Sequence, residues 1–265
     1  MEHGVWDDLV AIHWGAAGQI FCNPETRDWY ETAMPGVTRN SPTFILDGDL
    51  PKQEWFSDER SPRLSDQDGE PHTVVPGRPI GLWARNVAEL AAQGIHLHFY
   101  GDFTQKQWVE WLDKTERLAP DHLHLHPHVD QDSWGREFSR YDAGWLHWQK
   151  SENQGDIRRA NWDDINYPAR IATLVSAGLP LLQYDNDGAV VATQNLGRKH
   201  DISLFFSTIE ELGQKLRDRP RLHQLQDNVW RQREQFTFDY HADRLVDFFR
   251  EVITAHPRRR MGSPR

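Results

Sequence analysis

The chain has 265 residues and a net charge of −10, which excludes non-specific nucleic-acid binding as its main function. Its length allows one large domain or two small ones, and its single cysteine, Cys22, excludes an intrachain disulfide and fits a reducing compartment. The start of the chain is acidic and lacks a signal peptide's apolar run, and no stretch has the ~20 apolar residues of a spanning helix. We therefore expect a cytoplasmic protein without a transmembrane segment.

The first 73 residues have a weak periodicity. Residues 9–13 predict a strand, residues 20–22 a short strand or the start of a helix, and residues 43–46 a further strand. Between residues 24 and 73 the chain is dense in Pro, Gly, Asp and Ser. Residues 65–70 lack the spacing of a calcium-binding loop and predict a solvated turn. We interpret residues 1–73 as a short, irregular segment.

From residue 74 onward, short apolar runs alternate with helical patterns, which predicts an α/β fold with a doubly wound, parallel, Rossmann-like sheet. The predicted strands cover residues 74–75, 95–100, 122–129 (with the exit loop), 143–148, 179–184 and 202–206. The predicted helices cover residues 87–91, 105–118, 133–141, 168–177, 189–196 and 208–218, followed by one or two helices in 222–256. The basic residues 257–265 predict a disordered tail.

The stretch from residue 166 to residue 184 is the most informative. Pro168 suits the first turn of a helix, where its missing N–H has no cost, and Gly178 suits the cap at the end of that helix. A free helix N-terminus with Arg170 in its first turn predicts an anion site. The plainer interpretation is an ordinary helix–strand joint with a solvated Arg170.

This stretch resembles the donor-site helix of GT-B glycosyltransferases, whose pattern is approximately Pro-x-Lys-x-x-Glu-x-x-x-x-Gly-x-Pro. Pro168, Arg170, Gly178 and Pro180 match that pattern, with arginine for lysine. Thr173 stands where the glutamate that holds the nucleotide ribose is usual. Residues 74–82 also resemble the strand and Gly-Arg turn that open the donor-binding domain of this group, and the two motifs lie in the family's order and spacing.

The resemblance covers approximately residues 72–256. It implies a nucleotide-sugar donor-binding domain at 74–256, preceded by a partial acceptor-side segment at 1–73. The implied activity is transfer of a hexose from a nucleoside diphosphate sugar to an unknown acceptor, with retention of configuration. It also implies no metal or other cofactor, and a final helix that crosses back over the cleft. The twelve tryptophans leave room for an interface between copies of the chain.

Ligands of such sheets bind beyond the carboxyl ends of the strands. Arg78 and Arg170 are expected to contact the donor diphosphate, His126 or His128 the base or ribose, and Asp185 and Asn186 the sugar hydroxyls. No catalytic residue is assigned. The full set of expected donor-binding residues is Gly77, Arg78, Tyr100, Gly101, His126, His128, Asn166, Arg170, Thr173, Asp185 and Asn186.

Two other functions are open at this point. A donor domain without its acceptor domain, and with Thr173 in place of glutamate, can bind a nucleotide sugar or a partner protein without turnover. Alternatively, His96 and His98 alternate on one strand, as do the histidines of residues 122–128, and paired histidines of this kind hold zinc in metal-dependent hydrolases. The plainer interpretation makes these histidines, His122 and His124 above all, hydrogen-bonded interior or cleft-wall residues.

Overall fold

The computed structural model of this protein describes residues 3–39, 41–101 and 106–255. Its strands are β1 (Gln19–Phe21), β2 (Thr43–Ile45), β3 (His72–Pro76), β4 (His96–Tyr100), β5 (Leu123–His126), β6 (Ala143–Trp145), β7 (Leu181–Tyr184) and β8 (Ser203–Phe206). The helices are α1 (His3–Gly15), α2 (Pro24–Ala33), α3 (Ser65–Asp68), α4 (Ala84–Ala92), α5 (Lys106–Leu118), α6 (Trp134–Phe138), α7 (Trp162–Ile165), α8 (Arg170–Ser176), α9 (Ala192–His200), α10 (Ile209–Arg217), α11 (Arg219–Gln232) and α12 (Phe238–Ala255). Short 3₁₀ helices cover Gln53–Trp55, Gln131–Ser133, Ile157–Arg159 and Arg233–Phe236.

A six-stranded, wholly parallel sheet forms the centre of the molecule, in the order β5-β4-β3-β6-β7-β8. Counted from β3, this is the 3-2-1-4-5-6 order of a doubly wound dinucleotide-binding fold. The prediction of a doubly wound, parallel, Rossmann-like sheet is therefore confirmed. The chain moves outward from β3 on one side and from β6 on the other, so the switch point lies between these two strands.

Both faces of the sheet carry buried apolar side chains, although histidines alternate with apolar residues along β4 and β5. On one face Val75, Leu97 and Trp145 pack against the helices α4, α5, α10 and α11. On the other face Val74 and Leu181 pack against α6, α8 and α11. The packing is close at β6, where a Cβ on Gly144 would lie 2.1 Å from a methyl carbon of Leu174. This contact fixes α8 across the centre of the sheet.

The N-terminal residues form a small unit in which β1 and β2 pair in parallel around α2. The strand predicted at residues 43–46 is confirmed, whereas the strand predicted at 9–13 is wrong because these residues belong to α1. Residues 9–13 do not form a buried run: Ile12 is 67% exposed. The final helix, α12, contacts this unit through Phe248, whose ring lies 5.5 Å from that of Phe44.

Other differences are shifts of element ends. The strand predicted at 143–148 ends at Trp145, the helix predicted at 133–141 spans only Trp134–Phe138, and the helix predicted at 189–196 spans Ala192–His200. The segment 222–256, for which one or two helices are predicted, contributes to two helices, α11 and α12. The tail at 257–265 and the start of the helix predicted from residue 105 lie outside the described residues. None of the helices in the described ranges is long and apolar enough to cross a bilayer.

Candidate functional site

The candidate site lies at the carboxyl ends of β3 and β6, where the strand order reverses. Such a switch point leaves a crevice between loops that diverge to opposite sides of the sheet, and it is where ligands of open α/β sheets bind. Gly77 and Arg78 directly follow β3. Leu146 and His147 follow β6, and Arg170 begins the helix that returns from β6 to β7. Three basic side chains therefore come from three different segments.

Arg170 has the most unusual environment of the three. It is only 8% exposed, and its Nη2 donates to the carbonyl oxygen of Arg78 at 2.6 Å. Its Nη1 is buried and has no hydrogen-bond partner within the described part of the chain. Burial, and then the nearby Arg78, lower the pKa of Arg170 to about 10, so it remains charged at neutral pH. A buried guanidinium with an unused donor has a desolvation cost that a bound anion would remove.

Gly77 keeps the space beside this guanidinium open. Its φ of +90° is in the left-handed region, where glycine has no steric penalty, and its N–H donates to the Tyr100 carbonyl at 2.7 Å. A Cβ at this position would lie 3.8 Å from Nη2 of Arg170. The predicted Gly-Arg turn therefore brings a bare backbone and the exposed Arg78 next to Arg170.

His147 is the third basic residue and was not predicted from the sequence. Burial, followed by the charges of Arg170 and Arg78, lowers its pKa from 6.5 to about 4, so the ring is neutral at pH 7. The predicted strand at 143–148 placed His147 inside the strand, whereas β6 ends two residues before it. Its place just after a buried central strand is the sequence signal that could have identified it.

We expect the His147 ring to titrate near pH 4 in the free protein and at a higher pH when a diphosphate is bound, because added negative charge stabilises the imidazolium. The histidine of the unfolded chain binds its proton near pH 6.5, whereas the folded protein does so only near pH 4. The free energy of unfolding is therefore expected to decrease as the pH falls from 6.5 to 4. Histidine ring NMR with and without saturating nucleoside diphosphate measures the change, with His147→Asn to assign the signal. An identical midpoint in both samples would contradict a diphosphate beside His147.

The loop between β6 and α8 covers one side of the crevice and is held firmly. Asn186 accepts from the Ser151 N–H at 2.8 Å and donates to the Gln149 carbonyl at 3.2 Å. Asn153 accepts from the N–H of Val190 at 3.0 Å. A small crevice remains beneath the loop, and it is lined by Leu146, His147, Gln149, Asn166, Asp163, Pro168 and Thr193.

The residues expected to contact the sugar hydroxyls are already engaged within the protein. The amide of Asn186 holds the loop just described. Asp185 accepts from Nη2 of Arg198 at 2.9 Å. Asn186 therefore holds the loop after β6, whereas Asn166 lines the small crevice beneath that loop.

The remaining predicted residues are spread along the same edge. Thr173 lies three residues after Arg170 on α8, hence on the same face, and is 7% exposed. Gly101 follows β4, and a Cβ there would lie 3.1 Å from the Phe99 ring. His128 is exposed and lies beyond β5, two strands away from β3 and thus roughly 9–10 Å across the sheet. Sequence order alone placed these residues at one edge but did not give these separations.

Tyr100 and His126 stack at the ends of β4 and β5, with ring centroids 4.4 Å apart. The Tyr100 hydroxyl donates to the Glu137 carboxylate and also bonds with the hydroxyl of Tyr141. These contacts point both rings to the face of the sheet that carries α6. Tyr100 and His126 thus belong to a second polar feature.

That second feature is a grid of histidines across three neighbouring strands, formed by His72, His96, His98, His122, His124 and His126. The register places His72 opposite His96, His98 opposite His124, and Tyr100 opposite His126. His122 stacks on His96 with centroids 4.6 Å apart. We call these six residues the histidine grid.

Two hydrogen-bonded chains run through the grid. The first joins Asp68 to His72 (2.9 Å), His72 to His98 (2.8 Å) and His98 to His126 (2.9 Å). The second joins Glu70 to His96 (2.7 Å) and His96 to His124 (2.9 Å). In each chain a carboxylate faces Nε2 of the first ring, and Nδ1 of that ring faces Nε2 of the next.

These contacts correct two interpretations of the sequence. The turn predicted at residues 65–70 is solvated as expected at residues 66–69, but residues 65–68 form the helix α3, and Asp68 and Glu70 bond to the grid. His98 does not pair with His96 as a ligand, because both of its ring nitrogens bond to other histidines, and burial lowers its pKa far below the ordinary value. The prediction that His124 is a hydrogen-bonded interior residue is confirmed.

A separate cavity of about 300 Å³ lies between the N-terminal unit and the helices α8, α9 and α12. This is the lower end of the range for small-molecule sites. Two buried polar atoms that line it, Oε2 of Glu25 and the Nδ1 of His241, have no hydrogen-bond partner in the described ranges. The cavity adjoins α8 through Tyr167 and Ile171, and none of the predicted donor-binding residues lines it.

No family model and no curated protein matches this sequence. Among solved structures, the chain is similar to AviGT4, a glycosyltransferase involved in avilamycin A biosynthesis, with 14% identity and a TM-score of 0.50 over 89% of this chain and 63% of AviGT4. It is also similar to the structure of accessory secretory proteins 1, 2 and 3 of Streptococcus pneumoniae, with 9% identity and a TM-score of 0.54 over 96% of this chain and 47% of that one. For Phytolacca americana UGT2, complexed with UDP-2-fluoro-glucose and pterostilbene, the identity is 12% and the TM-score 0.49, over 95% and 58%.

The chain has a GT-B fold. The predicted resemblance to GT-B glycosyltransferases is thus confirmed for the fold. At 9–14% identity the similarity concerns the fold alone, and the chain spans 47–63% of the length of these structures. The three basic residues at the switch point, Arg78, His147 and Arg170, are an observation separate from the similarity in fold.

Proposed function

We propose that this chain binds a nucleoside diphosphate sugar at the switch point and acts as the donor-binding part of a glycosyltransferase. The observation that carries the proposal is the buried guanidinium of Arg170 with its unused Nη1. A diphosphate oxygen is the acceptor that this geometry accommodates, since phosphate accepts the charge-assisted hydrogen bonds that guanidinium donates. The GT-B fold supports a sugar nucleotide as the source of that diphosphate.

The chemistry follows from the placement of charge. In hexosyl transfer the bond between the anomeric carbon and the diphosphate oxygen breaks, and its electron pair stays on that oxygen. Arg78 and Arg170 would stabilise the developing negative charge electrostatically. Since the two guanidiniums supply this positive charge, the proposal includes no metal or other cofactor. A hydroxyl oxygen of an acceptor of unassigned identity forms the new bond to the anomeric carbon, and its proton passes to the departing diphosphate or to solvent.

Calorimetric titration with UDP, GDP, ADP and their hexose conjugates, without added metal, tests the proposal. We expect one nucleotide series to bind with micromolar affinity and the others to bind at least tenfold more weakly. Such a result also identifies the base. Absence of binding by every nucleotide up to millimolar concentration would contradict a donor site at Arg170.

A second candidate is a domain that binds the sugar nucleotide, or a partner protein, without turnover. One feature favours it: Thr173 stands where the family resemblance places the ribose-binding glutamate. Release of nucleoside diphosphate from a bound conjugate distinguishes the two candidates. A bound donor that stays intact for hours with a panel of sugar acceptors favours the binding domain, whereas release in step with glycoside formation favours the transferase.

A further inference from the structure

The amino ends of β3, β4 and β5 carry a cluster of metal-ligating groups at the edge opposite the donor crevice. Three imidazoles and two carboxylates meet there, in two overlapping groups whose ligand atoms lie within 4.8 Å of one another. The groups are Asp68, His72 and His96, and Glu70, His96 and His122. The two groups share His96, which has Asp68 and His72 as neighbours in one group and Glu70 and His122 in the other.

The backbone explains why these side chains meet. His72 opens β3 and His96 opens β4, and the two are direct partners in the parallel register. His122 immediately precedes β5 and stacks on His96. Glu70 lies two residues before β3, and its Oε1 would be 3.1 Å from a Cβ on Gly94, the residue two before β4. The left-handed φ of +61° at Gly94 leaves room for that carboxylate.

The distances are close to those of a zinc site. Oε2 of Glu70 lies 2.7 Å from Nε2 of His96 and 3.9 Å from Nε2 of His122. Ligands at 2.0–2.2 Å from a tetrahedral ion lie roughly 3.3 Å from each other, between these two values. The His96 and His122 rings are stacked with an interplanar angle of 13°, so one of the two rings must rotate for both Nε2 atoms to face a single ion. Imidazole nitrogen and carboxylate oxygen are also the donors that zinc takes in mixed sites.

His98 and His124, which we call the second row of the histidine grid, hold the rings of His72 and His96 in place. Metal-bound imidazoles donate their remaining ring N–H to a fixed acceptor, which orients the ring. Nδ1 of His96 faces Nε2 of His124 at 2.9 Å, and Nδ1 of His72 faces Nε2 of His98 at 2.8 Å. When Nε2 binds a metal, its proton leaves and Nδ1 can donate to the second row.

We propose that Glu70, His96 and His122 bind one divalent ion of the zinc class, with Asp68 and His72 beside it. The ion would join the amino ends of β4 and β5 to the segment that carries Glu70. This site is at the opposite end of the strands from Arg170, so it does not depend on the proposed donor site. The side chains of Glu70 and Asp68 are 46% exposed, which gives the ion access from solvent.

Zinc titration of the metal-free chain against a chromophoric chelator, without nucleotide, tests the site. The variants Glu70→Gln and His122→Asn remove one ligand each while keeping size. His128→Asn is the matched control, because His128 is an exposed histidine outside the grid. We expect one zinc equivalent at micromolar or tighter affinity in the wild type and in H128N, and at least about tenfold weaker binding in E70Q and H122N. Equal affinity in all four proteins would overturn the proposal.

A second measurement uses only the unmodified chain and so does not depend on the folding of variants. Zinc is expected to shift the ring NMR signals of His72, His96 and His122 at one equivalent, while the signal of His128 stays in place. It should also raise the thermal unfolding midpoint in proportion to the logarithm of free zinc. Shifts confined to exposed histidines outside the grid, with no change in the midpoint, would assign the binding to adventitious surface sites.

Discussion

Replacing Arg170 by alanine is expected to weaken nucleoside diphosphate binding about a hundredfold. A hydrogen bond to a charged group contributes about 1.5–3 kcal/mol, and roughly 2.7 kcal/mol corresponds to a hundredfold in the dissociation constant. Arg170 is placed for this role because it is buried, charged and has a free Nη1. Calorimetry with the nucleotide that the wild type binds best measures the loss.

Folding should be almost unaffected by this change. Among the described residues the Arg170 side chain makes one hydrogen bond, to the Arg78 carbonyl, and its burial has an unrelieved desolvation cost. We expect the thermal midpoint of R170A to stay within about 3 °C of the wild type. Arg85→Ala is the matched control, since Arg85 is an exposed arginine at the start of α4 and should leave affinity unchanged. Equal affinity in the wild type and R170A would remove Arg170 from the site.

Replacing Gly81 by alanine is expected to destabilise the fold by about 3 kcal/mol or more and to abolish donor binding. Gly81 has a φ of +79°, and a Cβ there would lie 1.8 Å from the Trp148 carbonyl oxygen. The obstacle is backbone, held by the hydrogen bond from the Trp148 N–H to the Ile80 carbonyl at 3.1 Å. Relief of the clash must therefore separate the loops after β3 and β6, which carry Arg78 and His147.

Gly188→Ala separates the effect of this contact from that of backbone strain. Gly188 has a similar φ of +74°, but a Cβ there meets nothing within 4 Å. Its substitution should cost only the left-handed strain of about 1–2 kcal/mol. Urea unfolding of both variants gives the difference in the free energy of unfolding, and calorimetry gives the donor affinity. Equal losses in the free energy of unfolding for the two variants would show that the loops after β3 and β6 can move apart without destabilising the fold.

The sequence was sufficient for the sheet because its strands are short and buried on both faces. Residues 179–184 are a nearly continuous apolar run, and in residues 95–100 apolar side chains alternate with histidines. All six strands predicted between residues 74 and 206 match observed strands within a few residues. The same criterion failed at residues 9–13. In α1 the apolar side chains Val5, Ile12 and Trp14 are exposed, so no buried face marks the helical period.

The sequence predicted those candidate site residues that stand in local motifs and missed the one whose place depends on the end of a strand. Arg78 and Arg170 stand in motifs of nearby residues and could be identified locally. His147 could not, because its place depended on the exact end of β6, and element ends are the least determined feature of a local pattern. Asn186 was identified, but its hydrogen bonds to the loop after β6 involve residues more than thirty positions away.

The order of residues along the chain determined the sheet, the glycines at left-handed turns, the charge of Arg170 and the alternation of histidines on single strands. Only the tertiary structure decided which of these residues meet. Arg170 reaches the carbonyl of a residue 92 positions earlier, and His72 joins histidines on β4 and β5 through the register of three strands. Local patterns report the face on which a side chain lies, whereas pairing between distant strands fixes its neighbours. Both the proposed donor site and the proposed zinc site therefore arise from long-range packing.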